Sequence, residues 1–552
     1  MRWISLVLIL GAGLISVLQA NAAPTPPSSE AALNDLIQFG QKIKVDPIRR
    51  VATVQNGRIK PFNTLSRETI LFLTGSYKKW DLDSNQIYLT ISSLDTVVFA
   101  PIIEIRGIEL RKKLGFTSEK KFYSLADLES SRLADLAMPL LQKEQEGKKL
   151  NEDESKVTEA FAQMNLFKQI ALQEHFLRSI DFSWLEKGDI DPQSNVVAKA
   201  KSYLENLRSK NFGEAEGVAS ELVNLSRTQA APDLLKHSLS KLDLEVFFFD
   251  WRPFLWASIL SILSGLILLI DASRKKLSTK FIYSSFGSVM IFIVIGLGLR
   301  VYITQFAPIT NMYGTMIWVA FGVSLFSLLL YSLYKNTSLC GIMLLASGAL
   351  LMLTENIPLI LSPDLDPIVA VLRSNFWLST HVTTITISYA AFTIAMVLGN
   401  VVLVKEIFGK NHSQQIQDFF HYAYRMVQLG CFLLTVGIIL GGIWADYSWG
   451  RFWGWDPKET WALIADLGFL VLLHARYIGW VTPFTFLALL PVSYLLVIMA
   501  WYGVNFILAA GLHSYGFSSG GARAVGLFVG TQLIIVAFAY LRSKSLKKSV
   551  KK

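Results

Sequence analysis

The chain has 552 residues, of which 52% are hydrophobic and only 17% charged, and its mean hydropathy is +0.41; an ordinary soluble protein carries about 25% charge. That balance excludes a wholly soluble protein, because the apolar surplus is concentrated after residue 251 in runs long enough to cross a bilayer. The net charge of +10 resides largely in short basic clusters beside those runs (Arg274, Lys275, Lys276 and Lys280, then the tail RSKSLKKSVKK), the pattern of cytoplasmic flanks rather than of a nucleic-acid-binding arm.

In chain order, MRWISLVLILGAGLISVLQANAAPTPP has a basic start, a short apolar core and Ala20-Asn21-Ala22 as a cleavage site, so residues 1–23 read as an export signal peptide. Residues 24–245 are then expected outside the cytoplasm. There, VATVQNGRIKPFNTL predicts a turn at Asn56-Gly57 between short β-prone runs. The rest, including 130–180 and 196–242, has helical spacing and no chemical constellation. His175 and His237 read as ordinary surface residues.

About nine apolar spans follow within 252–541, near 253–271, 281–299, 312–333, 337–354, 382–404, 426–444, 458–477, 484–507 and 523–541, with a basic tail at 542–552. Alternation places the Lys/Arg-rich connections inside and the loops near 300–311, 355–381, 445–457 and 508–522 outside. The expected fold class is therefore an all-α polytopic membrane protein, preceded by a signal peptide and a mainly helical extracytoplasmic domain. The only two cysteines, Cys340 and Cys431, fall inside spans. Without CxxC or CxxCH the chain lacks the sequence signs of a thiol reductant, a cysteine zinc site or a c-type cytochrome, and both thiols read as small buried apolar residues.

Between the sixth and seventh spans, WGRFWGWDPKETW places Trp449, Trp453, Trp455 and Trp461 within one short segment. Asp456-Pro457-Lys458-Glu459 is a helix start, with Asp456 as cap, proline at the first helical position and Glu459 closing a capping box. Capping alone explains Asp456 and Glu459; a ligand role is the alternative. Tryptophans also form interfacial belts, but four together with Gly450 and Gly454 make a platform for a flat apolar ligand. A porphyrin fits, with carboxylates for Arg451 or Lys458. Haem iron needs axial ligands, which imidazole supplies. His381, at the start of the span HVTTITISYAAF, and His513, in AAGLHSYGF, are expected on the same side as the tryptophans. His474 lies on the span after the patch, about 26 Å from its start at roughly 1.5 Å per residue, near the cytoplasmic boundary. His412 and His421 sit among polar residues and read as solvated.

The stretch WGRFWGWDPKETWALIADLGFLVLLHARYIGW resembles the tryptophan-rich signature of the haem-handling proteins of cytochrome c maturation, with Trp453, Trp455, Asp456, Lys458, Glu459 and Trp461 at matching positions. With FAPITNMYG, NFWLSTHV and LHSYGF, the chain looks most like the CcsA-type component of the system II cytochrome c synthase, over most of 280–541. One departure is Gly314, where relatives often carry an acidic residue. The resemblance implies non-covalent haem b ligated by His381 and His513 over the tryptophan-rich segment. It further implies that His474 is one ligand of a second haem facing the cytoplasm. The implied partners are a CcsB/ResB-type membrane protein, an apocytochrome c with CxxCH and a thioredoxin-like thiol reductant, with the whole acting as a haem lyase complex in the bacterial inner membrane. Two competing readings are a haem-delivery subunit of the system I pathway, in which the tryptophan signature stands earlier in the chain, and a solute permease, which explains the spans but not the patch.

Overall fold

The computed structural model describes residues 27–229, 238–365, 374–409, 413–508 and 521–550. The expected signal peptide, His237, His412 and His513 lie outside the described residues. The chain divides into two compact units, Met1–Leu242 and Asp243–Lys552.

The first unit is mainly helical, with helices such as Phe62–Thr74, Glu152–Ala171 and Phe212–Thr228 packed around one apolar core. Its hairpin pairs Ala52–Gln55 with Arg58–Pro61, Gln55 facing Arg58, across the expected turn at Asn56 and Gly57. Both turn residues have positive φ, 54° and 72°, as a tight two-residue hairpin turn requires. Lys60, fully buried on the second strand, places its ammonium 2.5 Å from Glu68 Oε2 and 3.3 Å from Gln55 Oε1. His175 corrects the sequence reading. It is half-buried, with Nδ1 2.7 Å from the hydroxyl of fully buried Tyr88. Desolvation, assisted by the charge of Lys60, pushes its imidazole down to about 4. A helical-spacing pattern cannot reveal this, because the partner lies in another helix.

The second unit is a helical bundle, and this is an all-α polytopic membrane protein. Eight helices among the described residues are long and apolar enough to cross a membrane. The helix expected as a further span, Pro457–Tyr477, is present but is too polar to qualify on composition. Lys458 and Glu459 open it, Arg476 ends it and Asp466 stands midway. Asp466 is buried, its Oδ2 accepting a hydrogen bond of 2.6 Å from the Thr435 hydroxyl of the neighbouring helix. The acid thus faces protein rather than lipid, as an intramembrane carboxyl must. The preceding helix is longer than its apolar run suggested: Ser413–Trp449 takes in most of the connection read as polar. Cys340 and Cys431 are buried.

Helices close on one another through small residues. Ser258 and Ser261 donate to the carbonyls of Gly348 and Leu344 at 3.0 and 2.7 Å, joining Pro253–Arg274 to Thr337–Asn356. Likewise Gly430, Gly437 and Gly441 of Ser413–Trp449 face the helix Thr383–Ile407 and the turn just before it, where added Cβ atoms would meet Phe392, Ile385 and His381. Small residues at such spacing let membrane helices approach closely.

Candidate functional site: a cleft around His381

The approach at Gly437 and Gly441 sets up the site. His381 lies in a π-helical turn, Leu378–Val382, at the start of Thr383–Ile407, and π turns concentrate at functional positions. Its ring rests on Gly441, where a Cβ would come within 2.6 Å of Cε1, and meets Trp444 edge-on with centroids 5.7 Å apart. Nδ1 is 2.8 Å from the carbonyl oxygen of Gly437. A carbonyl only accepts, so Nδ1 carries the proton in the neutral ring and Nε2 is the lone-pair nitrogen.

The tryptophan-rich segment folds beside it. Asp456 caps the helix Pro457–Tyr477, accepting from the amides of Lys458 and Glu459 at 2.9 and 3.1 Å. Glu459 completes the box, accepting from the amide of Asp456 at 3.3 Å, and also from the amide of Gly454 at 2.7 Å and from Arg451 Nη1 at 3.0 Å. Arg451 therefore holds the loop together, its guanidinium also 5.8 Å from the Trp449 ring centre. The glycines serve the loop as well: Gly450 has φ of 68°, and a Cβ on Gly454 would run into the Arg451 guanidinium. Trp455 has φ of 56°, a conformation costly for a bulky residue and found where the surroundings impose it.

These elements enclose a cleft of about 230 Å³. His381, Trp449, Trp453 and Lys458 line it together with the turn Ile309–Met312 and with Trp501 and Asn505 from the π-helical stretch Met499–Leu508. Phe306 and Ala307 pack on Val382 and Trp444 beside it. Asn311 fixes the turn, accepting from the amide of Gly314 at 2.9 Å and donating to the Ser362 carbonyl at 3.1 Å. A Cβ on Gly314 would sit 2.8 Å from the Pro308 carbonyl oxygen, so the turn as built has no room for the acidic residue that the resemblance leads one to expect. Tyr313 instead meets an acid from elsewhere, donating to Glu355 at 2.7 Å.

The profile of the cytochrome c assembly protein family matches residues 309–513, a stretch that contains every residue lining the cleft. The cytochrome c biogenesis protein CcsA of Guillardia theta is 34% identical over 44% of this chain and 88% of its own length. CcsA of Prochlorococcus marinus strain MIT 9301 is 31% identical over 52% of this chain and 97% of its own length. The chain belongs to the CcsA family of cytochrome c biogenesis proteins. Protein NrfI of Wolinella succinogenes is 27% identical over 93% of this chain, which spans 59% of NrfI's length. Family membership places the chain in cytochrome c assembly in a membrane and implies the handling of haem.

Not every residue expected at the CcsA-type site reaches the cleft. Of the four tryptophans, Trp449 and Trp453 line it, so the platform is half the size expected. Trp455 is turned outward, 70% exposed, meeting Trp453 edge-on at 5.7 Å, and Trp461 packs into the bundle core. Asp456 is buried as the cap. His474 is exposed in the last turn of Pro457–Tyr477, the end remote from Lys458. Trp501 and Asn505 were missed from the sequence. An apolar run shows no helical face from which to choose them, although the spacing of Gly437 and Gly441 was a readable sign of close helix approach.

Proposed function

We propose that the protein binds haem b non-covalently in this cleft, presents it at the outer face of the bacterial inner membrane and supports its thioether attachment to apocytochrome c. The observation that carries the reading is a single cleft in which an oriented imidazole, two tryptophans and a lysine converge. The Nδ1–Gly437 hydrogen bond is the kind of outer contact that fixes ring and tautomer of a metal-binding histidine, and neutral imidazole suits haem iron. His513, which follows the π-helical stretch in sequence, is the proposed second axial ligand.

In the attachment reaction each cysteine S–H of a CxxCH adds across a vinyl C=C of the haem. An S–C bond forms, the vinyl π bond breaks and the proton ends on the neighbouring carbon, with no net oxidation. The chain contributes by holding the iron through His381, covering the macrocycle with Trp449 and Trp453 and so positioning the vinyl edge. The client thiols must arrive reduced, hence a thioredoxin-like partner. An inner haem site at His474 is completed by a CcsB/ResB-type protein. What supports this is exposure: His474 shares a helix with exposed Leu467 and Val471, at spacings that put all three on one outward face, and Ile478, the residue that ends the helix, is exposed beside them in sequence.

The test is holocytochrome c formation with His381→Ala in cells lacking any other copy of the protein. It should fall to background and return in part when imidazole is supplied, whereas Trp453→Ala should fall without rescue because the lost interaction is ring contact. Wild-type levels from His381→Ala would end the reading.

A further inference from the structure

We propose that Trp501 and Asn505 extend the site beyond the tryptophan-rich segment, with the indole N–H groups of Trp501 and Trp453 receiving the carboxylates at the ligand's edge. This rests on the cleft being the haem site. Both residues line the cleft, and the Nε1 atoms of both are buried with no hydrogen-bond partner. Buried polar atoms are nearly always paired, and leaving one unpaired costs about 1–3 kcal/mol. Two such donors lining one cleft point to a ligand that brings acceptors.

The chemistry of the occupant follows from the atoms. Indole Nε1 only donates, so what it lacks is an acceptor, and an anionic acceptor makes the stronger bond. The carboxylate of the lining, Glu459, already accepts from Arg451, Gly454 and Asp456. Asn505 Oδ1, an acceptor in the same lining, is also buried and meets neither indole; the acceptors therefore come with the ligand, and the ammonium of Lys458 in that lining favours their being charged. Asn505 acts through its neighbour: its Nδ2 donates to the Trp501 carbonyl at 2.5 Å, one turn earlier, and so holds the stretch that carries the indole. It is a positioning residue.

Purified full-length protein in detergent is titrated with haemin and, separately, with haemin dimethyl ester, which keeps the ring, iron and vinyl groups but lacks the carboxylates. Phenylalanine keeps an aromatic ring in place and deletes only the N–H. Trp501→Phe, and independently Trp453→Phe, should weaken haemin binding roughly tenfold, the scale of one hydrogen bond to a charged group, and leave the ester unchanged. Asn505→Asp loses the donor to the Trp501 carbonyl and adds a negative charge, so it should weaken haemin more than the ester. Equal weakening of both ligands, or of neither, in both phenylalanine variants overturns the proposal. Wild-type protein that binds haemin and its ester with equal affinity also overturns it while leaving the proposed function intact. Wild-type protein that binds neither removes the proposed function, and this inference with it.

Discussion

Where the helix Pro457–Tyr477 begins, the bundle surrounds a histidine; where it ends, it leaves one bare. His381 sits on Gly441, against Trp444, with Nδ1 tied to the Gly437 carbonyl and a cleft alongside. His474 is exposed on a face with Leu467 and Val471. A metal ligand works when its direction and tautomer are set beforehand, and at the first end this chain supplies those constraints itself. At the second, packing sets neither, so any ligand role there awaits another surface. The contrast is one of preorganisation, since both side chains are the same imidazole.

The sharpest way to break this contrast is Gly441→Val. Its side chain would occupy the space of the His381 ring, so haem binding by absorbance titration should fall as far as in His381→Ala. Because the valine also fills the space an added ligand would use, imidazole should not restore it. Wild-type affinity in this variant would mean that the seat on Gly441 is irrelevant. A smaller effect is expected from His474→Ala. In the chain alone, haem affinity should stay within about twofold, below 0.5 kcal/mol, while haem occupancy should drop when a CcsB/ResB-type partner is co-expressed. An equal loss with and without the partner would remove the difference between the two ends. The smallest effect belongs to Asp456. Asp456→Ala removes a cap worth about 1 kcal/mol and should lower the thermal midpoint by a few degrees, whereas Asp456→Asn, which still caps, should behave as wild type. If asparagine proves as damaging as alanine in haem titrations, the carboxylate itself meets the ligand and capping is not its whole role.

Much of the architecture was legible in the residues. Apolar run length announces membrane helices because lipid demands it; the Asn56-Gly57 hairpin and the Asp456–Glu459 box are local hydrogen-bond patterns, and local patterns survive folding. Pro457–Tyr477 was read as an apolar span like the others, and how it carries Asp466 was not visible, since Thr435, the partner of Asp466, is on another helix. His175 was misjudged for the same cause, its partner Tyr88 being remote in sequence.

At the site, the sequence by itself determined which residue types were available: clustered indoles, a few histidines and a capped helix start, all of them properties of short segments. Only the tertiary structure decided which of them meet. It turned Trp455 out and Trp461 into the core, tied Arg451 to Glu459, and brought the Ile309–Met312 turn and the Trp501–Asn505 stretch to His381. The physical reason is that a cleft is defined by close approach between helices, and that approach depends on where glycines and bulky side chains coincide across an interface, which no single segment records.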